Sequence, residues 1–362
     1  MRLTRNCPWN KCAFCPVYKG ARFSLRDVDD IKGDIDAMAA AAEEIKGLSW
    51  RMGAGGEVTE AVAREVFSGT LGAGQEAKYI AFWLFSGGQN VFLQDADSLV
   101  MKPADVAEVL AHLKKAFPGV SRITTYARSA TVARIKPQDL KSLREAGLTR
   151  VHIGMESGSD DVLKYMKKGS TADIHIRGGL NVRDAGLELS EYVMPGLGGR
   201  RWTRQHAEQT ARVLNAVNPH FIRLRSLHVH RVMPLAEEVQ SGEFELLTDD
   251  EVAAEIRLFI SGLAGITSVI VSDHILNLLE EIEGRLPDDR QRMLSAVDRY
   301  LGLPQPERLL FVLARRAGLV RGVQDISDPD VRMRAERIRD RLAVTDTDDA
   351  TAKIRELMDG YI

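Results

Sequence analysis

The sequence predicts an α/β protein built as a partial (β/α)6 barrel with a helical C-terminal extension. Two observations predict it. Apolar, strand-like runs begin near residues 91, 121, 151, 187 and 221, about 30 to 36 residues apart, which is the length of one βα unit. Helical periodicity fills the gaps between them, and strands alternating with helices form a parallel sheet with right-handed crossovers. A closed eight-stranded barrel needs about 250 residues. Only about six units fit before residue 235, so the barrel is expected to stay open, with its active face at the C-terminal strand ends. The chain therefore divides into a core, 1–235, carrying an insertion at about 47–88, and an extension, 236–362. The extension is expected to pack against the open side and help cover the substrate region, because water exclusion protects reactive intermediates.

The elements follow in order. Only six residues precede Cys7, so a first strand there is very short. Ser24 and Asp27 read as a helix N-terminal cap, and Leu25, Val28, Ile31, Ile35 and Met38 then recur at helical spacing until about Gly47. Between 47 and 88, glycines break the pattern, Glu57 to Phe67 reads as a helix, and Gly87-Gly88 closes the segment. Strands follow at 90–93, 120–126, 151–155, 187–194 and 221–227. Helices lie between them at 103–117, 137–146, 161–168, 171–185 and 203–217, the first with Pro103 in its opening turn. Beyond Pro234 the strand signal fades. Stretches 248–262, 273–283, 288–301, 306–317 and 330–342 read mainly as helices, and the last forty residues read as a solvated helical tail.

Of the 362 residues, 44% are apolar and 28% charged, the balance of a soluble globular protein. Lys and Arg number 49 against 51 acidic residues, so no overall basic field draws in nucleic acid. No apolar run approaches the ~20 residues needed to cross a bilayer, and Met1 to Asn6 is not followed by an apolar signal segment. Both features point to a cytoplasmic protein.

All three cysteines fall within the segment Cys7-Pro8-Trp9-Asn10-Lys11-Cys12-Ala13-Phe14-Cys15. An odd count without a signal segment argues against a disulfide framework. The C-x4-C-x2-C spacing lets one loop turn three thiolates toward one metal centre. A plant-type [2Fe–2S] centre opens with this spacing but needs a fourth cysteine, which the chain lacks. Structural zinc also needs a fourth ligand, and the nearest histidine in sequence is His112. A cluster with three protein ligands and one open position fits the count best, since catalytic metal sites keep such a position.

Cys12-Ala13-Phe14-Cys15 resembles the end of the radical S-adenosylmethionine (radical SAM) cysteine motif, C-x3-C-x-aromatic-C, with four rather than three residues in the first gap. The flanks, Thr4-Arg5-Asn6-Cys7-Pro8-Trp9 and Cys15-Pro16-Val17-Tyr18-Lys19-Gly20, resemble a largely uncharacterised branch of that superfamily. The likeness extends over roughly residues 2 to 235. It implies a radical SAM-type barrel and a [4Fe–4S] cluster on Cys7, Cys12 and Cys15 whose open iron binds the amine and carboxylate of SAM. It also implies reductive cleavage of SAM to a 5′-deoxyadenosyl radical that takes hydrogen from a substrate. The partners implied are a small-molecule or peptide substrate and an external electron donor such as flavodoxin or ferredoxin.

The resemblance also places residues. Phe14 is expected beside the adenine, although an aromatic there serves equally as core packing. The second strand ends Gln94-Asp95-Ala96-Asp97 where the family often has Gly-Gly-Glu, so Asp95 or Asp97 is expected to receive the SAM amine or, failing that, to cap the next turn. Gly55-Gly56-Glu57 has the family's letters but no strand before it, and is set aside. Arg128 is expected near the SAM carboxylate, and Glu156 and Ser157 near SAM. Pro195 and Gly196 belong to a glycine-containing adenine segment, and Arg225 to the last SAM-contacting strand. His228 and His230 share a face if strand geometry persists, where they suit substrate or metal contact or simply solvent. A tRNA-modifying relative and a non-catalytic iron–sulfur or haem-handling protein of the same fold are the competing functions.

Overall fold

A computed structural model describes residues 1–69, 74–344, 350, 353–355 and 358. Part of the 47–88 stretch and most of the expected tail beyond 344 thus lie outside the described residues. Among the described residues, seven strands form one sheet. In order they are β3 (Asn90–Leu93), β4 (Arg122–Ala127), β5 (Arg150–Glu156), β6 (Glu188–Val193), β7 (Phe221–Leu224), β8 (Val269–Val271) and β9 (Gly284–Arg285). Every pairing from β3 to β8 is parallel, and only β9 runs antiparallel.

The expected first strand is a stub. Arg2 bridges Gln94 in parallel, and the Gln94 amide donates to the Met1 carbonyl at 2.7 Å. The chain then leaves the sheet, and β1 (Thr4–Arg5) pairs antiparallel with β2 (Ser24–Leu25). That pairing corrects the start of the first helix. Ser24 is in a strand, and Asp27 is the cap, accepting from the Asp29 amide at 2.9 Å. Helix α1 runs Val28–Arg51, past Gly47, with Ile31 and Ile35 buried as their spacing requires. Helices α2 (Glu60–Ser68) and α3 (Gln75–Phe85) pack on its end around Ile45, Leu48, Val62, Val66 and Ile80.

The crossover helices are α4 (Pro103–Ala116), the short α5 (Ser129–Val132), α6 (Pro137–Glu145), α7 (Asp160–Tyr165), α8 (Ala172–Asp184) and α9 (Gly199–Val217). Alternation divides each strand between two faces. Val91, Leu93, Val151, Ile153, Ile222 and Leu224 are buried against the helices. Phe92, Tyr126, His152 and Tyr192 face the opposite way and meet ring to ring, with centroids 4.8–6.2 Å apart. They line the inside of an open barrel.

After residue 235 come α10 (Leu235–Ser241), α11 (Asp249–Gly262), α12 (Arg290–Leu301), α13 (Gln305–Arg316) and α14 (Pro329–Leu342), the last buried chiefly at Ala335. The strand signal resumes here, contrary to expectation. Val269, Ile270 and Val271 pair with Phe221, Ile222 and Arg223, a run too short to stand out in the text. The helix expected over 273–283 is a loop. Its Leu276 and Asn277 carbonyls are taken by the buried guanidinium groups of Arg316 and Arg315, at 2.7 and 3.2 Å.

Candidate active site at the strand ends

The cysteine loop turns back on itself through Asn6 and Asn10, both at positive φ, a conformation asparagine tolerates better than most residues. The Asn10 side chain donates to the Tyr18 carbonyl at 2.5 Å, and Lys19 Nζ donates to the Cys12 carbonyl at 2.8 Å. The loop is pinned to the turn after α7. Ala13 N–H donates to Met166 O at 3.0 Å, and Trp9 Nε1 donates to Lys167 O at 2.7 Å. A Cβ on Gly169 (φ +69) would collide with the Trp9 ring, so glycine is required there. Cys7, Cys12 and Cys15 are free and half-buried, and burial pushes the Cys12 thiol pKa up against the pull of Lys168. A metal would have to displace that proton.

The strand ends bring polar groups to this loop. Lys168 Nζ lies 3.0 Å from Glu156 Oε1 and 5.5 Å above the Phe14 ring, and Lys168, Cys15, Glu156 and Arg128 all act on the Cys12 thiol. Gly154 leaves the space this ion pair occupies. Phe14 itself is buried among Ala13, Val162, Met166, Leu197 and Leu235. The Arg128 guanidinium donates to Lys168 O at 3.1 Å and sits 4.9 Å from the Trp9 ring, so it braces the loop.

The two aspartates after β3 part company. Burial raises the Tyr18 phenol to about 12, and Asp95, Cys7 and Cys15 add to it, which places Asp95 on the cysteine side. Asp95 Oδ2 is buried without a hydrogen-bond partner, and Arg2 is 3.9 Å away. Asp97 turns to α5. It accepts from Thr131 Oγ1 at 2.5 Å and from the Arg128 amide, while burial raises its carboxyl to about 6.

The other expected residues make contacts of their own. Ser157 is fully buried and its hydroxyl meets His206 Nδ1 at 2.8 Å. Gly196 N–H donates to Glu255 Oε1 of α11 at 2.7 Å, and Pro195 O accepts from Leu227 N–H at 2.8 Å. Arg225 lies across the barrel, bonded to Asp273. Strand β7 ends at Leu224, so His228 and His230 do not alternate on a strand face. His112 is bonded to Asp36 of α1 at 2.7 Å, in the outer helical layer. Gly55-Gly56-Glu57 lies in the turn between α1 and α2. Among the described residues, no three Cys, His, Asp or Glu side chains are grouped as a ready metal site. As a donor set, three free thiols on one pinned loop fit an iron–sulfur centre.

Residues 74–214 match the family described as the radical SAM superfamily. That stretch of the chain is a radical SAM domain, of a kind found in enzymes. Among curated proteins it is similar to the tRNA uridine(34) acetyltransferase of Methanocaldococcus jannaschii, 29% identical over 62 residues, which is 17% of this chain and 12% of that protein. Among solved structures it is similar to Methanocaldococcus infernus Elp3, with 17% identity, TM-score 0.43, and coverage of 55% of this chain and 52% of that one. Coproporphyrinogen III oxidase from Escherichia coli, a radical SAM enzyme, gives 13% identity, TM-score 0.45, and 69% and 49% coverage. The chain thus spans a small part of its curated relative and about half of these two structures.

Several residues of this candidate site carry no sequence signal of their own. Lys168 and Gly169 read as helix end and turn, and Glu255 as one charge of an amphipathic helix 59 residues from Gly196. No candidate transmembrane helix is present among the described residues.

Proposed function

We propose that the protein is a radical SAM enzyme in which Cys7, Cys12 and Cys15 hold a [4Fe–4S] cluster and Asp95 receives the SAM amine. When bound, the cluster supplies the electron that cleaves SAM reductively to a 5′-deoxyadenosyl radical. The chain's own groups hold and shield: Lys168 and Glu156 set the charge beside Cys12, Arg128 and Trp9 brace the loop, and Phe14 closes it from beneath. Pro195 and Gly196 form the flanking wall, close to Leu197 and Met194 of the Phe14 cluster. Ser157 supports this wall from behind through His206, which also meets the Met194 carbonyl at 3.1 Å.

The observation that carries the Asp95 assignment is its buried Oδ2 on the cysteine side, which accepts no hydrogen bond and has only a long 3.9 Å ion pair with the exposed Arg2, because ammonium protons need acceptors and a carboxylate is the strongest one. Asp97 also has an unpartnered oxygen, but its other oxygen is committed to Thr131. Asp95→Asn is expected to weaken SAM binding at least about tenfold, ~1.4 kcal/mol, with iron content unchanged. Asp97→Asn is expected to bind SAM like the parent. Equilibrium titration of reconstituted protein decides it, and the reverse pattern would reassign the amine to Asp97. The substrate is proposed to be a small molecule or peptide, with reducing equivalents from a flavodoxin or ferredoxin in the cytoplasm. The short match to a tRNA-modifying protein supports a second reading, which an RNA-binding assay on the same preparation separates.

A further inference from the structure

We propose that Arg223 and Arg225, on the β7 side of the barrel interior, form a binding site for a carboxylate or phosphate group of the molecule on which the enzyme acts. This rests on the reading above and names a chemical class for its substrate. Ile222 and Leu224 are buried against the helices, so the alternating positions 223 and 225 face the interior. Both guanidinium groups reach one carboxylate, Asp273, in the loop after β8, each at 3.0 Å. Asp273 keeps 51% of its side chain exposed, whereas Arg223 and Arg225 keep 19% and 24%. Two fixed cations therefore share one accessible anion.

Neighbouring groups do not cancel the excess. Arg150 is paired with Glu188 at 2.7 Å. His152 and His274 are each held down to about 4, by burial first and then by the arginines, so both are neutral at pH 7. Arg223 Nε is buried without a partner. Arg225 lies 5.2 Å from the Tyr192 ring, which presents its fork in a fixed plane. A planar fork with donors to spare matches the oxygens of a carboxylate or phosphate, and the Phe92, Tyr126 and Tyr192 rings offer an apolar bed for the rest of the ligand. Asp273 is the group such an anion must displace or share.

The test uses full-length protein without its cluster, titrated with inorganic phosphate and with acetate at constant ionic strength. Asp273→Asn removes the competing carboxylate and is expected to tighten phosphate binding about tenfold, while Arg225→Gln weakens it by a similar factor. Arg225→Lys keeps the charge without the fork and is expected to fall between. Should Arg225→Gln not fold, the gain in Asp273→Asn decides alone. Phosphate affinity equal to the parent's in Asp273→Asn would overturn the proposal. So would a loss in Arg225→Gln confined to SAM, which would make this arginine a cofactor ligand. Failure of iron uptake or SAM cleavage would instead strike the enzyme reading and leave the phosphate result standing.

Discussion

Replacing Lys168 with methionine is expected to cost about 3 kcal/mol of folding stability, the low end for an ion pair broken in the interior. Lys168 and Glu156 expose 13% and 12% of their side chains, so Glu156 would lose its counter-ion with little water to replace it. Burial pulls the Lys168 ammonium down, but Glu156 and Cys12 hold its pKa above the usual lysine value, so the charge is present at neutral pH. The double variant Lys168→Met with Glu156→Gln removes both charges and is expected to recover most of the loss. Urea unfolding of the parent, two single variants and the double variant gives the coupling energy directly. A Lys168→Met cost below about 1 kcal/mol, typical of an exposed pair, would mean the pair is solvated.

The second large effect is expected at Glu255, 5% exposed on α11. Its two oxygens accept from Gly196 N–H and Thr203 Oγ1, both at 2.7 Å, and His206 Nε2 lies 3.7 Å away. Alanine would strand the Gly196 amide and the Thr203 hydroxyl, at roughly 1–3 kcal/mol for each buried group left unpaired. Glutamine keeps an acceptor for the amide and is expected to cost less. Hydrogen exchange reads the cause: the Gly196 amide is protected in the parent and exchanges rapidly in Glu255→Ala. Unchanged protection would show that the loop is held by other contacts. The extension thereby bears on the site, since α11 fixes the loop that follows β6.

The βα rhythm was legible because each core strand pairs a helix-facing apolar set with a recognisable helix and turn. Pro103, Pro137 and Thr171 open their helices where the pattern places them. Strand β8 was not legible: three residues carry too little periodicity, and their place is set by pairing with β7 across a sequence gap of 48 residues. Stretch 273–283 misled for the opposite reason. Ile275, Leu276, Leu278, Leu279 and Ile282 repeat at near-helical spacing, but arginine side chains 38 to 40 residues away capture the carbonyls a helix would use.

At the candidate site, the cysteines stand out because three identical thiols in nine residues form a local pattern. Asp95 and Asp97 were found as a pair but could not be separated, since the choice depends on the positive φ at Asp95 and on Thr131. Lys168, Glu255 and the shared Asp273 act through contacts that only the folded chain creates.

Metal content tests the central claim most directly. Anaerobically reconstituted protein is expected to carry about four irons and four sulfides per chain, as one [4Fe–4S] centre does, and to release 5′-deoxyadenosine from SAM under reduction. Alanine at Cys7, Cys12 or Cys15 is expected to remove most of that iron. Stoichiometric zinc in the purified protein, with no iron uptake on reconstitution, would contradict it.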